Sequence, residues 1–164
     1  MKFDAGQAPC QPDPSHMHSS PATAQPNKPS QTTPIRLYEV LYVSVMTPDL
    51  PIRTVAEIAS KARVANEQAG ITGLLVFDGQ RFCQQLEGDR KPVLKLLERI
   101  SQDPRHTQIE VLHHSVLAER RFRCFGLAYT SVDDIDVLTR LEKLDGQAAI
   151  DAFVALISTL DMDG

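Results

Sequence analysis

Six side chains in this sequence combine types and spacings that could do chemistry together: Tyr42, Ser44, Asn66, Gln84, Arg105 and His106. A phenol is oxidisable and carries a transferable proton. An amide is nearly symmetric in shape but opposite in hydrogen-bond polarity at its two ends. A tyrosine and two amides in one plane would suit the edge of a flat heteroaromatic ligand with carbonyl and ring-nitrogen positions. A cationic Arg beside a His would suit a phosphate or ribityl tail. The same residues could equally be core polar groups that satisfy one another, and residue types alone leave both readings open.

The elements around these residues place most of them on inward faces. Residues 37–44 read as a first strand, apolar on both faces and therefore central. Tyr38, Val40, Tyr42 and Ser44 share one of its faces. A loop over 46–51 leads to a helix over 52–69, with Thr54 and Glu57 as a capping box and Gly70 as the residue past its end. Val55, Ala59 and Ala62 form its inward stripe, and Asn66 continues that stripe four residues on. The small alanines would leave room for a flat group beside the helix, or permit close packing on a sheet. Asp78-Gly79 between apolar runs signals a two-residue type I′ hairpin. In the strand that follows, alternation puts Phe82, Gln84 and Leu86 on one face and Arg81, Cys83, Gln85 and Glu87 on the other. Gln84 thus falls on a face that should be buried, where an unpartnered amide costs about 1–3 kcal/mol.

A second helix starts at Asp89, with Pro92 in its first turn. Val93, Leu94, Leu97 and Ile100 are its core positions, and Asp103-Pro104 ends it. Arg105 and His106 follow immediately. Strands over 107–117 (Ile109, Val111 and His113 alternating) and 122–130 come next, with Phe125, Leu127 and Tyr129 on one face of the latter. Ser131 with Asp134 resembles a helix cap, Gly146 interrupts the run, and 149–160 is amphipathic. The pattern predicts an α+β fold: a ferredoxin-like βαββαββ mixed sheet, two helices on one face, and C-terminal helices over the other.

Bulk properties narrow the function. The chain has 164 residues and a net charge of −4, so no positive field invites nucleic acid or an anionic membrane. No apolar run approaches the roughly 18 residues of a membrane helix, and the N-terminus lacks a signal-peptide core. Cys10, Cys83 and Cys124 form no metal or disulfide pattern, and a cytoplasmic location is expected. Residues 1–34 hold seven of the eleven prolines and almost no large aliphatics, which predicts a disordered tail. His16 and His18 within it pre-organise no metal site. The expected divisions are 1–34, a folded domain over 35–131, and a helical extension over 132–164.

Four motifs then occur in order: Leu41-Tyr42-Val43-Ser44; Asn66 ahead of Ile71-Thr72-Gly73-Leu74-Leu75; Phe82-Cys83-Gln84-Gln85-Leu86-Glu87-Gly88; and Asp103-Pro104-Arg105-His106. Together, over about residues 36–130, they closely resemble the BLUF family of bacterial blue-light sensors using flavin, in a short, stand-alone form. The resemblance implies a flavin between the first two helices, usually FAD, with FMN or riboflavin as alternatives. It implies Tyr42 as electron and proton donor and Gln84 as the amide that rearranges. It implies Asn66 at the ring edge, Ser44 in the same site, and Arg105 and His106 toward the ring and phosphate end. It implies no covalent adduct, so Cys83 need not act as a photochemical thiol. Output would pass through the last strand to a separate effector protein, and a homo-oligomer is expected. Relatives often carry Trp and Met on that strand, where this chain has Phe125 and Leu127. Ala65 also replaces a residue that is often polar. Two rival readings are a flavin-dependent oxidoreductase, which the lack of a GxGxxG loop opposes, and a ferredoxin-like effector or protein-interaction module without a chromophore.

Overall fold

The computed structural model describes residues 36–130 and 136–160. The expected tail and the Ser131–Asp134 cap lie outside the described residues. The elements are β1 (Leu37–Met46), α1 (Arg53–Gln68), β2 (Thr72–Phe77), β3 (Arg81–Asp89), α2 (Arg90–Ser101), β4 (His106–Leu117), β5 (Phe125–Tyr129), α3 (Val137–Leu141) and α4 (Gly146–Ile157). They build one five-stranded sheet in the order β4-β1-β3-β2-β5. β5 runs parallel to β2; every other neighbouring pair is antiparallel. This is the expected ferredoxin-like mixed sheet, with β5 added at the β2 edge.

Alternation along the strands decides which layer each side chain joins. On the front face, Tyr38, Val40, Tyr42, Ile71 and Leu86 pack with Val93 of α2. Beside them, Leu75, Phe77, Phe82 and Phe125 pack with Val55 and Ala59 of α1. The back face presents Leu41, Val43, Leu74, Val76 and Cys83 to Leu138, Leu141, Ile150 and Phe153 of α3 and α4. β1 is buried on both sides, as its doubly apolar pattern requires. Gly73 lets β2 lie close to β3: its φ is +152°, and a Cβ there would stand 1.9 Å from the Gln85 carbonyl oxygen.

Several local expectations change. Thr54 and Glu57 form no capping box. The Pro51 and Ile52 carbonyls instead accept from the backbone N–H groups of Thr54 and Val55, and Thr54 is buried in the first turn. The hairpin is not a two-residue type I′ turn; only Gly79 has positive φ. The Asp78 carboxylate accepts from the N–H groups of Gln80 and Arg81, and the Asp78 N–H donates to the Arg81 carbonyl (3.2 Å), so Gly79-Gln80 forms the tip. Leu94, next to buried Val93 and about 100° around α2 from it, is exposed rather than in the core. β5 starts at Phe125, and Gly146, at φ +56°, opens α4 instead of breaking a run. Cys83 is a free, buried thiol.

β4 and β5 lie at opposite edges, so the connection between them must cross the sheet. A polar clasp holds it. Arg120 donates to the carbonyls of Gly70 (2.7 Å) and Glu87 (2.8 Å) and to Thr72 Oγ1 (2.8 Å). The Arg121 guanidinium pairs with Glu39 and stands 3.6 Å from Glu87. Glu87 accepts from the N–H groups of Arg121 (2.9 Å) and Phe122 (3.2 Å). Gln85 Nε2 bridges both carboxylates, at 2.8 Å to Glu39 and 3.2 Å to Glu87. Both carboxylates are buried, so they depend on Arg121 for charge balance. Replacing Arg121 with Met should lower unfolding free energy by about 3 kcal/mol in urea denaturation. A loss under about 1 kcal/mol would mean that the pair is solvated and the clasp dispensable.

Candidate functional site

The register of β1 on β3 sets Tyr42 directly opposite Gln84. Both side chains point to the front face, and both are buried. Tyr42 Oη donates a short hydrogen bond to Gln84 Oε1. Burial above all, then the nearby Cys83 and Asp103, push the phenol pKa far up, so Tyr42 keeps its proton at any physiological pH. The same rung continues across the sheet. Gln84 is opposite Leu75 on β2, and Leu75 is opposite Leu127 on β5. The four side chains therefore lie side by side on one face. Cys83 points to the back, and burial holds its thiol protonated.

Ser44 lies two residues along β1 from Tyr42. Its Oγ is hydrogen-bonded to His106 Nδ1 at 3.0 Å, and the imidazole packs on the Phe82 ring with centroids 4.8 Å apart. Burial draws the His106 pKa below its usual value; Asp103 opposes that effect and Arg105 adds to it. Arg105 is engaged within its own loop. Its guanidinium grips Asp103 at 2.5–3.1 Å, and that contact, chiefly, holds the Asp103 carboxyl down at about 2.

Asn66 ends α1 through its backbone, whose carbonyl accepts from Ile71 (2.8 Å) and Ala69 (3.1 Å). Its side chain does not cap the helix. The residue is 2% exposed, and its Nδ2 has no hydrogen-bond partner. A buried donor left unpaired costs about 1–3 kcal/mol. Asn66 lines a cleft of about 320 Å³ between the two front helices. Ala65 and Ala69 of the α1 end flank it, and Ile71 closes it toward Tyr42, with which Ile71 shares a cluster. The opposite wall is α2: Lys91, Pro92, Lys95, Leu96 and Arg99. Of the six side chains singled out from sequence, only Asn66 lines this cleft. Tyr42 and Gln84 lie deeper in the sheet face, and Ser44, His106 and Arg105 group farther along β1.

The donor set fits a flavin. Asn66, whose buried Nδ2 donor lacks an acceptor, lines a cleft of the size that holds a small organic ligand. The alanines leave that wall low, and Gln84, deeper in the same sheet face, carries an amide reversible in polarity. Sequence reasoning missed the α2 wall. The signal was the spacing of Lys91, Lys95 and Arg99, four residues apart each time, which puts cations on one helix face. It also missed the Glu39–Gln85–Glu87–Arg121 clasp, although alternation had already turned Gln85 and Glu87 to the back.

Comparison with known proteins agrees with this geometry. The family model for "Sensors of blue-light using FAD" matches residues 37–128. The blue light- and temperature-regulated antirepressor BluF of Escherichia coli is 36% identical over 91 residues, which is 56% of this chain and 23% of that protein. The photoactivated adenylate cyclase subunit beta of Euglena gracilis is 36% identical over 122 residues, 70% of this chain and 14% of that one. The chain thus spans less than a quarter of the length of these two curated relatives. The dark-state structure of BlrB, a BLUF protein, superposes with a TM-score of 0.63 at 28% identity, covering 74% of this chain and 95% of that one. With its sheet order, its buried tyrosine–glutamine pair and its helix-walled cleft, the chain belongs to the BLUF family of blue-light sensors using flavin.

Proposed function

We propose that this chain is a blue-light receptor whose switch is the Tyr42–Gln84 pair and whose output reaches a separate effector protein. The buried hydrogen bond from Tyr42 Oη to Gln84 Oε1 carries this reading. A bound flavin, FAD by the family description, supplies light absorption and an electron acceptor. The chain supplies the rest. Tyr42 is the oxidisable side chain, and its proton already rests on a hydrogen bond to Gln84. Gln84 can reverse its amide polarity without moving the backbone, which makes it bistable. Asn66 Nδ2 orients a ring carbonyl, and the Ser44–His106 pair closes the far end. Leu75 and Leu127 continue the rung to β5, with Phe125 beside them under α1. No helix among the described residues is long and apolar enough to cross a membrane.

The reading assigns no turnover of its own to the chain, so holoprotein given NADH should not oxidise it beyond the rate of free flavin. Sustained NADH oxidation would favour a flavin-dependent oxidoreductase. Purified protein should be yellow, and blue light should shift its main absorption band slightly and reversibly to the red. Gln84→Leu should keep the flavin and lose the shift. A shift of wild-type size in Gln84→Leu would remove Gln84 from the switch.

The His106 pKa is depressed in the folded state, so the neutral imidazole is the form the fold favours. Stability from this group is complete above its unfolded value of about 6.5 and declines as pH falls through that value. The melting temperature should therefore drop between pH 7.5 and 5.5, and His106→Gln should flatten that drop. An identical pH profile in the variant would place the titration elsewhere.

A further inference from the structure

We propose that Glu39 and Glu87 form a proton-binding site on the back of the sheet: the pair takes up one proton as pH falls from neutral, and that proton sets how firmly the crossing from β4 to β5 is fastened. The site lies on the face opposite the cleft and needs no bound ligand. Strand register sets Glu39 directly opposite Glu87, and both side chains are buried, at 3% and 0% exposure. Like charges facing each other across two strands repel, and burial removes the water that would screen them. Their inner oxygens converge on the same donors. Gln85 Nε2 stands 2.8 Å from Glu39 Oε2 and 3.2 Å from Glu87 Oε1. The Arg121 guanidinium pairs with Glu39 Oε2 and lies 3.6 Å from Glu87 Oε1.

The charges around the pair do not balance. One guanidinium against two carboxylates leaves one negative charge over. Arg120 spends its donors on the Gly70 and Glu87 main-chain carbonyls and on Thr72, not on the carboxylates. From β4, Ser115 donates its O–H to Glu39 Oε1 at 2.9 Å, and His113 Nε2 lies 3.1 Å from Ser115 Oγ and 3.4 Å from Glu39 Oε1. With the Ser115 proton directed at Glu39, His113 Nε2 supplies the N–H of its contact with Ser115. On the helices behind, Glu142 pairs with Arg81 and Asp151 with Gln147. Burial above all pushes the Glu87 pKa up, and the Glu39 charge adds to the rise; the N–H groups of Phe122 and Arg121 and the Arg121 guanidinium pull it only part of the way back. Carboxylates that share donors this closely titrate together, so the first proton belongs to the pair. The same group fastens the strap, because Glu87 Oε2 accepts from the N–H groups of Arg121 and Phe122. A neutral carboxyl is the weaker acceptor, so the proton relieves the repulsion and slackens those two bonds.

The folded pair holds its proton more tightly than the unfolded chain does. Stability from it is therefore complete below the unfolded value of about 4.5 and declines as pH rises through the raised folded value. His106 acts in the opposite direction and is unchanged in Glu87→Gln, so the difference between wild type and that variant isolates the pair. The test is an NMR titration of the full chain, carbon-13 labelled at the glutamate side-chain carboxyls, from about pH 8 to about pH 4. One carboxyl step, shared by the Glu39 and Glu87 resonances, should fall above the ordinary glutamate range. The backbone amide protons of Arg121 and Phe122 should shift with the same midpoint. Glu87→Gln should abolish the step, and its melting temperature relative to wild type should become more positive from mild acid to neutral pH. The wild-type titration decides even where the variant does not fold. Titration of every glutamate in the ordinary carboxylate range, or an elevated step that belongs to the His113 ring and to no carboxyl, would overturn the site. Arg121 and Phe122 amides that stay still through the carboxyl step would overturn its hold on the crossing.

Discussion

A phenol and an amide buried face to face between β1 and β3 impose the conditions that the rest of the fold must meet. Neither can reach water, so each depends on the other. The bond exists only in one register. A slip of a single residue would turn Gln84 to the back and bring Gln85 to the front. Gln85 could not take the front role without abandoning Glu39 and Glu87, which it bridges. Gly73 adds a further lock, since β2 approaches the Gln85 carbonyl more closely than any side chain would allow. Two adjacent glutamines thus hold opposite assignments because register, packing and charge agree.

The two faces of the sheet use polar groups differently. The back carries charged carboxylates clamped by Arg121, backbone N–H groups and Gln85. Removing Arg121 leaves buried carboxylates without that counter-charge, and removing Gln85 leaves them short of a donor, so that layer is stiff. The front carries neutral groups: a phenol, two amides, a hydroxyl and an imidazole kept neutral by burial. Neutral hydrogen bonds exchange at a cost of about 1 kcal/mol rather than several. A switch belongs on the face where partners can be traded, and a strap belongs on the other. The crossing from β4 to β5 is fastened on the stiff side.

Much of this was legible in the sequence, for identifiable reasons. Period-two alternation is insensitive to tertiary detail, so Tyr42, Gln84 and Leu127 fell on the right face. The two crossover helices and Gly70 followed from periodicity and from glycine's tolerance of positive φ. What was not legible depended on partners distant in sequence. Thr54 looked like a cap until the Pro51 carbonyl took its own N–H, the group that Glu57 would have served in a capping box. Asp78 bound its own turn and changed the hairpin. Arg105 looked available beside His106 until Asp103, two residues earlier, claimed it. Arg121 lies 82 positions from Glu39, and no local pattern couples them. The α2 cations were visible as a period, but that they line the same cleft as Asn66 depends on the packing of two helices distant in sequence.

The β5 residues bear on how a change at Gln84 could be felt beyond the site. An indole would offer an N–H to a reversed amide; Phe125 offers none, and Leu127 has no polar atom. Any coupling across this rung under the proposed switch would therefore be steric, from Gln84 to Leu75 to Leu127. Steric coupling works where the receiving element is lightly held. β5 is a five-residue edge strand paired only with β2, so it is the strand best able to shift. Its next residue, Ala128, faces the back and packs in the cluster that includes α3 and α4. Under the proposed switch, a displacement at Leu127 would reach the C-terminal helices through one backbone step, with no hydrogen bond required along the way.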